Sequence, residues 1–241
     1  MQWSDEGVVL SVRPHGENGA VLELFTRGHG RHLGLVHGGR SRRLRPLLQI
    51  GNHLDATWKA RLADSLGHFG VELRRGFAAQ AMEDRAALAA LTSIAALARL
   101  LPERDPHPSL YEVTLFVLGY LDERAVWPAL LVRWELVLLE ELGFGLDLAS
   151  CAATGSTRDL LYVSPRSGRA VSAAAGEPYK DRLLPLPAFL RGQASEPVTE
   201  ADVLAGFALT GHFLEARVLQ PRDLAVPDAR VRLLSYLRPT S

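Results

Sequence analysis

Long apolar runs are missing from this 241-residue chain. No stretch of about eighteen uncharged apolar residues occurs, the length a helix needs to cross a bilayer, so no membrane-spanning helix is expected. The start, MQWSDEGVV, has no basic segment leading into an apolar one, which argues against a secretory signal. Cysteine is nearly absent: Cys151 stands alone, excludes an internal disulfide and suits a reducing cytosol. Net charge is missing too, at +0. Aromatic residues are only 7% of the chain, so stacking platforms are scarce.

What is present is a globular composition, 47% apolar and 22% charged, with enough length for a sizeable core. The zero charge conceals an uneven distribution. Residues 1–80 carry 11 Lys+Arg against 7 Asp+Glu and six of the eight histidines, whereas residues 81–241 are net acidic. A basic N-terminal part attracts a polyanion, and an acidic remainder suits other partners.

The first eighty residues alternate with period two. Val8, Leu10 and Val12 do so in one run, Leu22 and Leu24 around Glu23 in the next, and Leu33 and Leu35 in a third. Leu54, Ala56, Trp58 and Ala60 share one face of a fourth, and HFGVELRR closes the set. Glycine-bearing turns, PHGENG and TRGHGR, separate the first runs. Five short antiparallel strands in this span predict a small barrel such as the OB-fold; an SH3-like barrel or an open sandwich suits the pattern nearly as well.

From residue 81 the pattern becomes helical. An alanine- and leucine-rich stretch stops at Pro102, and Ser109-x-x-Glu112 reads as a capping box. Pro128 opens a helix that ends at Gly143, and Thr199-x-x-Asp202 caps another carrying Val203, Phe207, Leu214 and Val218. Short connections predict a helical bundle. Residues 147–180 interrupt it with an irregular excursion containing two short β pieces, Leu161–Val163 and Ala170–Ser172. The expected class is therefore α+β: a five-stranded barrel over 1–80 and a helical domain over 81–241 that carries the excursion.

The segment HGGRSRRLRP places Arg40, Arg42, Arg43 and Arg45 within six positions beside a Gly-Gly pair. Guanidinium forks match phosphate oxygens and stay charged at any relevant pH. Arg31, Lys59 and Arg61, at or near predicted strand ends, extend the candidate stripe. No base-reading helix accompanies the cluster, so sequence-specific readout is not expected. A basic loop that binds a different anion, or nothing, remains the alternative.

Other constellations are weaker. His29, His32 and His37 lack the further ligands a metal would need and read as surface histidines of a basic hairpin. Glu135, Glu140 and Glu141 read as the wet face of a helix. Gly28-x-Gly30 lies in a hairpin, not at a strand-to-helix crossover, so it is no dinucleotide fingerprint. Cys151 reads as a buried small hydrophobe, and no catalytic constellation emerges.

Over nearly its whole length the chain resembles the RecO family of bacterial recombinational DNA-repair mediators, most of all its alphaproteobacterial branch. The resemblance rests on DEGVVLSVRPHGENGAVLELFTRGHGRHLGLVHGGRSR, on RWELVLLEELGFGLDLASCAATG, and on VSPRSGRAV with AGEPY and LLPLPAFLRG. It implies an OB-fold followed by a helical domain, no enzymatic activity and no cofactor. It also implies binding of single- and double-stranded DNA, annealing of complementary strands, and assistance in loading RecA together with RecR. The acidic C-terminal tail of the single-stranded DNA-binding protein is a further implied partner, and the cytoplasm, on the nucleoid, the implied location. The implied DNA surface falls on Arg31, Arg40, Arg42, Arg43 and Arg45, and less securely on Lys59 and Arg61. Many family members hold zinc in the excursion with two Cys-x-x-Cys pairs. Here the first pair is Cys151 and Thr154 and the second has no cysteine, so no metal is expected. A generic OB-fold RNA-binding module and a protein-interaction scaffold are the competing readings.

Overall fold

The computed structural model describes residues 1–62, 64–191 and 197–238. They form two compact units, Met1–Arg124 with Pro227–Leu233, and Ala125–Val226 with the residues from Leu234 onward.

In the first unit, β1 (Gln2–His15), β2 (Gly19–Thr26), β3 (Gly30–Val36), β4 (His53–Lys59) and β5 (His68–Arg75) close into a barrel in the order β1-β2-β3-β5-β4. Neighbours are antiparallel except β3 and β5, which meet in parallel at Leu35 and His68. This is the five-stranded OB arrangement. Its interior holds Val9, Leu22, Leu24, Leu54, Ala56, Trp58 and Phe69.

Two strands depart from the expected phase. A bulge between Val9 and Ser11 shifts the β1 register, so Val9 and Val12 pack on the barrel core instead of the Val8, Leu10, Val12 series. In β3 the buried positions are Gly30, His32, Gly34 and Val36, while Leu33 and Leu35 are only partly buried. Gly34 is needed because Phe69 lies over it: a Cβ there would sit 2.5 Å from the ring.

Three helices follow in the same unit: α1 (Phe77–Ala81), α2 (Arg85–Ala98) and α3 (Pro108–Gly119). Asp84 caps α2 by accepting the Ala86 N–H, and the alanine-rich face lets the helix approach β1 closely. The expected box at Ser109 is not formed. Pro108 occupies the first turn and His107 precedes it without a side-chain cap.

The second unit opens with α4 (Trp127–Glu141). The strands β6 (Leu160–Val163), β7 (Ala170–Ser172) and β8 (Leu184–Pro185) then form a sheet ordered β7-β6-β8, with the short α5 (Ala173–Gly176) following β7. After them comes α6 (Glu200–Phe213), which packs on α4. Thr199 and Asp202 form the expected capping box of α6. Beyond Phe213 the helix widens into a π segment, Leu214–Leu219. Trp127, Trp134, Phe207 and Phe213 are fully buried. Glu135 is not on a wet face: it is wholly buried and accepts a hydrogen bond from the Thr210 hydroxyl. The last helix, α7, spans Asp228–Leu237. Among the described residues, no helix is long and apolar enough to cross a membrane.

Candidate nucleic-acid interface

The arginine cluster lies in the connection between β3 and β4. Leu44, Leu47 and Leu48 anchor it by packing on the barrel core. Successive turns hold the backbone: Ser41 N–H bonds the Gly38 carbonyl at 2.8 Å, Arg45 N–H that of Ser41 at 3.0 Å, and Leu48 N–H that of Leu44 at 3.1 Å. Buried Asn52 ties down the far end, donating to the Pro46 and Leu47 carbonyls at 3.1 and 3.0 Å. With the leucines facing inward, Arg40, Arg42, Arg43 and Arg45 are all exposed. Arg40 docks the loop on the β1–β2 turn: its backbone N–H bonds the Asn18 carbonyl and its Nη1 donates to the Glu17 carbonyl at 3.0 Å. Exposed Arg13 and His15 flank that turn.

Charge pairing separates these arginines from others of the unit. Arg27 pairs with Glu112 at 2.9 Å, Arg74 with Asp55 at 2.9 Å and Glu6 at 3.2 Å, Arg104 with Asp64 at 3.4 Å, and Arg124 with Asp84 at 2.9 Å. The guanidinium groups of Arg42, Arg43 and Arg45 have no hydrogen bond or ion pair among the described residues. An anion binding there breaks no ion pair among the described residues.

Lys59 and Arg61 are exposed. Lys59 is in register with His68, whose ring stacks on His37 at 4.5 Å, at the start of the arginine loop. The β4 end thus pairs with the residue on which His37 stacks. On the neighbouring side, a groove of about 780 Å³ is lined by Arg43 and His37 but also by Asp5, Glu6, Asp55 and Glu72, and these carboxylates bound the basic patch.

Arg31 does not join the exposed cluster. Its guanidinium is paired with the buried Glu23 and donates from Nε to the Leu101 carbonyl at 3.0 Å. Glu23 also takes Arg99 Nε at 2.9 Å and the Ser11 hydroxyl at 2.7 Å. Glu23 lies on the outer face of β2, and Phe25 on the same face packs edge-on against Tyr111 of α3, with centroids 5.6 Å apart. At Glu23, Phe25 and Arg31 the β2–β3 face, which OB-folds commonly offer to oligonucleotides, is covered by Tyr111, Arg99 and Leu101 of the α2–α3 region, while Val21, Leu33 and Leu35 are half-buried. Sequence alternation cannot reveal this, because Glu23 reads as an exposed strand residue until the helices that bury it are placed.

The three histidines go to three different environments. His37 is exposed. His29 stacks on Trp3 at 4.0 Å and bonds Asp5 through Nδ1 at 2.8 Å. His32 is not on the surface; it is buried against Trp3, Trp58 and Phe69, with both ring nitrogens unpaired. Burial, and then the positive charges of Arg104 and His29, bring its pKa down to about 4.

In the excursion, two turns are built alike. Gly155 N–H bonds the Cys151 carbonyl at 2.8 Å, and Gly168 N–H bonds that of Ser164 at 2.8 Å. Both glycines have positive φ, +72° and +73°, which a side chain would strain. These are Cys-x-x-Thr-Gly and Ser-x-x-Ser-Gly turns, with the spacing of paired zinc knuckles. One thiol and three hydroxyls are not a zinc donor set, so the residues present do not fit the metal. Among the described residues no group of three or more His, Cys, Asp or Glu is placed to hold one. Hydrogen bonds close the excursion instead: Ala152 N–H to the Ala170 carbonyl at 2.7 Å and Ser172 N–H to Cys151 Sγ at 3.2 Å. Burial raises the Cys151 pKa, but the hydrogen bonds from Ser172, Thr154 and the backbone outweigh it and bring the thiol down to about 6.

A closed OB barrel with a loop of unpaired arginines, joined to a helical part, defines a protein of the OB-fold class with an anion-receptive edge. The chain is matched by the family models "Recombination protein O N terminal" over residues 1–77 and "Recombination protein O C terminal" over residues 82–224. It is 59% identical over 234 residues to the "DNA repair protein RecO" of Methylobacterium nodulans, covering 95% of each chain. It is 55% identical over 240 residues to that of a Methylorubrum extorquens strain, covering 98% of each. It is 54% identical over 241 residues to that of Rhodospirillum centenum, covering 99% of this chain and 95% of that one. All three organisms are alphaproteobacteria. The chain belongs to the RecO family, whose role is in DNA repair.

Proposed function

We propose that the protein binds single- and double-stranded DNA through the barrel domain of residues 1–80, anneals complementary strands, and assists RecA loading together with RecR. The contacts are assigned to Arg40, Arg42, Arg43 and Arg45, with Lys59 and Arg61 extending them; Arg31 serves the barrel. The acidic tail of the single-stranded DNA-binding protein is received by the helical part, and the protein works in the cytoplasm, on the nucleoid. The observation that carries this reading is the concentration, in one loop of a RecO-family barrel, of guanidinium groups that make no ion pair among the described residues. Neutralising phosphates on two strands at once lowers their repulsion and raises their local concentration, so complementary bases meet more often. No bond is cleaved and no cofactor takes part.

The test is strand annealing with and without the single-stranded DNA-binding protein across a salt series, with structured RNA as competitor. Faster annealing that fades steeply with salt supports the reading. Annealing at the protein-free rate refutes it, and preferential capture of the RNA favours an RNA-binding module.

A further inference from the structure

Beside the arginine loop lies a second groove, of about 530 Å³, distinct from the carboxylate-lined one. Its walls are Val12 and Pro14 from β1 and Leu48 and Ile50 from the loop, with Arg40 and Arg45 also in its lining. Among the described residues no carboxylate lines it. Leu48 is buried, Val12 and Ile50 are half-buried, and both arginines are exposed, so an aliphatic interior opens beneath a cationic rim. Gln49 lines it too; its Nε2 donates one hydrogen to the Arg45 carbonyl at 2.9 Å, which leaves an N–H and the amide oxygen available.

This lining suits a ligand with an apolar body, a polar edge and anions attached beside it. We infer that this groove takes one unstacked nucleobase of a single strand, with its flanking phosphates on Arg40 and Arg45 and its edge toward the Gln49 amide. The inference rests on the DNA-binding reading above and adds to it a physical basis for strand preference. A base inside a duplex is stacked and paired and cannot enter without being extruded, whereas a single-stranded base enters at little cost. The groove lies within the range of small-ligand sites, large enough for a base and its sugar. It also supplies what the covered part of the β2–β3 face cannot: an apolar seat next to the phosphate contacts.

The test uses the full chain and fluorescein-labelled dT20 and a 20-base-pair duplex, read by anisotropy at one salt concentration. Ile50→Phe and, from the opposite wall, Val12→Phe fill the groove. Returning the apolar surface of one base from this aliphatic seat to water changes affinity by about tenfold, so the ratio of single-strand to duplex affinity is expected to fall about tenfold in either variant. An abasic strand of the same length, bound to the unaltered protein, should show the same loss, and this arm does not depend on a variant's folding. If the wild-type chain binds neither substrate, the DNA-binding reading itself fails. If it binds both with steep salt dependence but the abasic strand binds as well as dT20, the groove assignment is overturned and the DNA-binding reading stands.

Discussion

Replacing Arg42, Arg43 and Arg45 together by alanine removes three guanidinium groups that make no hydrogen bond or ion pair among the described residues. Folding stability should therefore hold, within about 0.5 kcal/mol, as for surface substitutions away from packed features. The effect belongs to DNA binding. Each phosphate neutralised adds about 0.9 to the slope of log K against log salt on duplex DNA and about 0.7 on single strands. Three lost contacts flatten the duplex slope by about 2.7 and the single-strand slope by about 2.1. Between about 50 and 200 mM salt the unaltered protein should then lose about 40-fold more duplex affinity than the variant. Anisotropy titrations at four salt concentrations measure this, with circular dichroism melting as the control for folding. An unchanged slope in a folded triple variant would refute the assignment of the loop to phosphate. The triple Arg→Lys variant keeps the charge, so it should retain most of the slope while losing bidentate geometry and some affinity.

Arg31→Met should act on stability instead: it strips one partner from a buried carboxylate that keeps Arg99 and Ser11, a cost of about 3 kcal/mol in urea unfolding. The DNA affinity of the folded fraction should stay the same. His32 links stability to acid. Its folded pKa of about 4 lies below the unfolded value of 6.5, so the unfolded chain takes the proton first. Stability from this group is complete above pH 6.5, falls as pH drops toward 4, and levels below that, by about 3 kcal/mol in all. His32→Phe should remove this part of the pH dependence, and an identical acid profile would contradict it. Adding zinc, or a chelator, should leave the melting temperature of the excursion-bearing chain unmoved; a rise of several degrees with zinc would show that the hydroxyl-bearing turns bind it after all. Thr199→Ala, which removes the hydroxyl of the α6 capping box, should cost about 1 kcal/mol.

Much of the architecture was legible because its cause is local. Period-two alternation in β2 and β4 placed Leu22, Leu24, Leu54, Ala56 and Trp58 inside, since successive side chains in a strand point to opposite faces. The α6 capping box needed only the residues within one turn. Where local rules failed in the barrel, a residue on another strand was involved. The β1 bulge is set by pairing with β2, and the β3 phase by Phe69 lying over Gly34. The box at Ser109 lost to Pro108, which already supplies a first helical turn.

The candidate site divides the same way. By itself the sequence determined that four guanidinium groups crowd one short loop beside a Gly-Gly pair, because that is a property of adjacent residues; that Leu44, Leu47 and Leu48 seat the loop on the barrel core came only with the tertiary structure. Tertiary structure alone decided which positive charges are available. Arg31 and the loop arginines are the same chemical group, but a buried Glu23 sits against one and no acid pairs with Arg42, Arg43 or Arg45 among the described residues. Ion pairing acts over a few ångströms of space, and Arg99, which meets Glu23 from 76 positions away, shows how little of that distance is written in sequence separation.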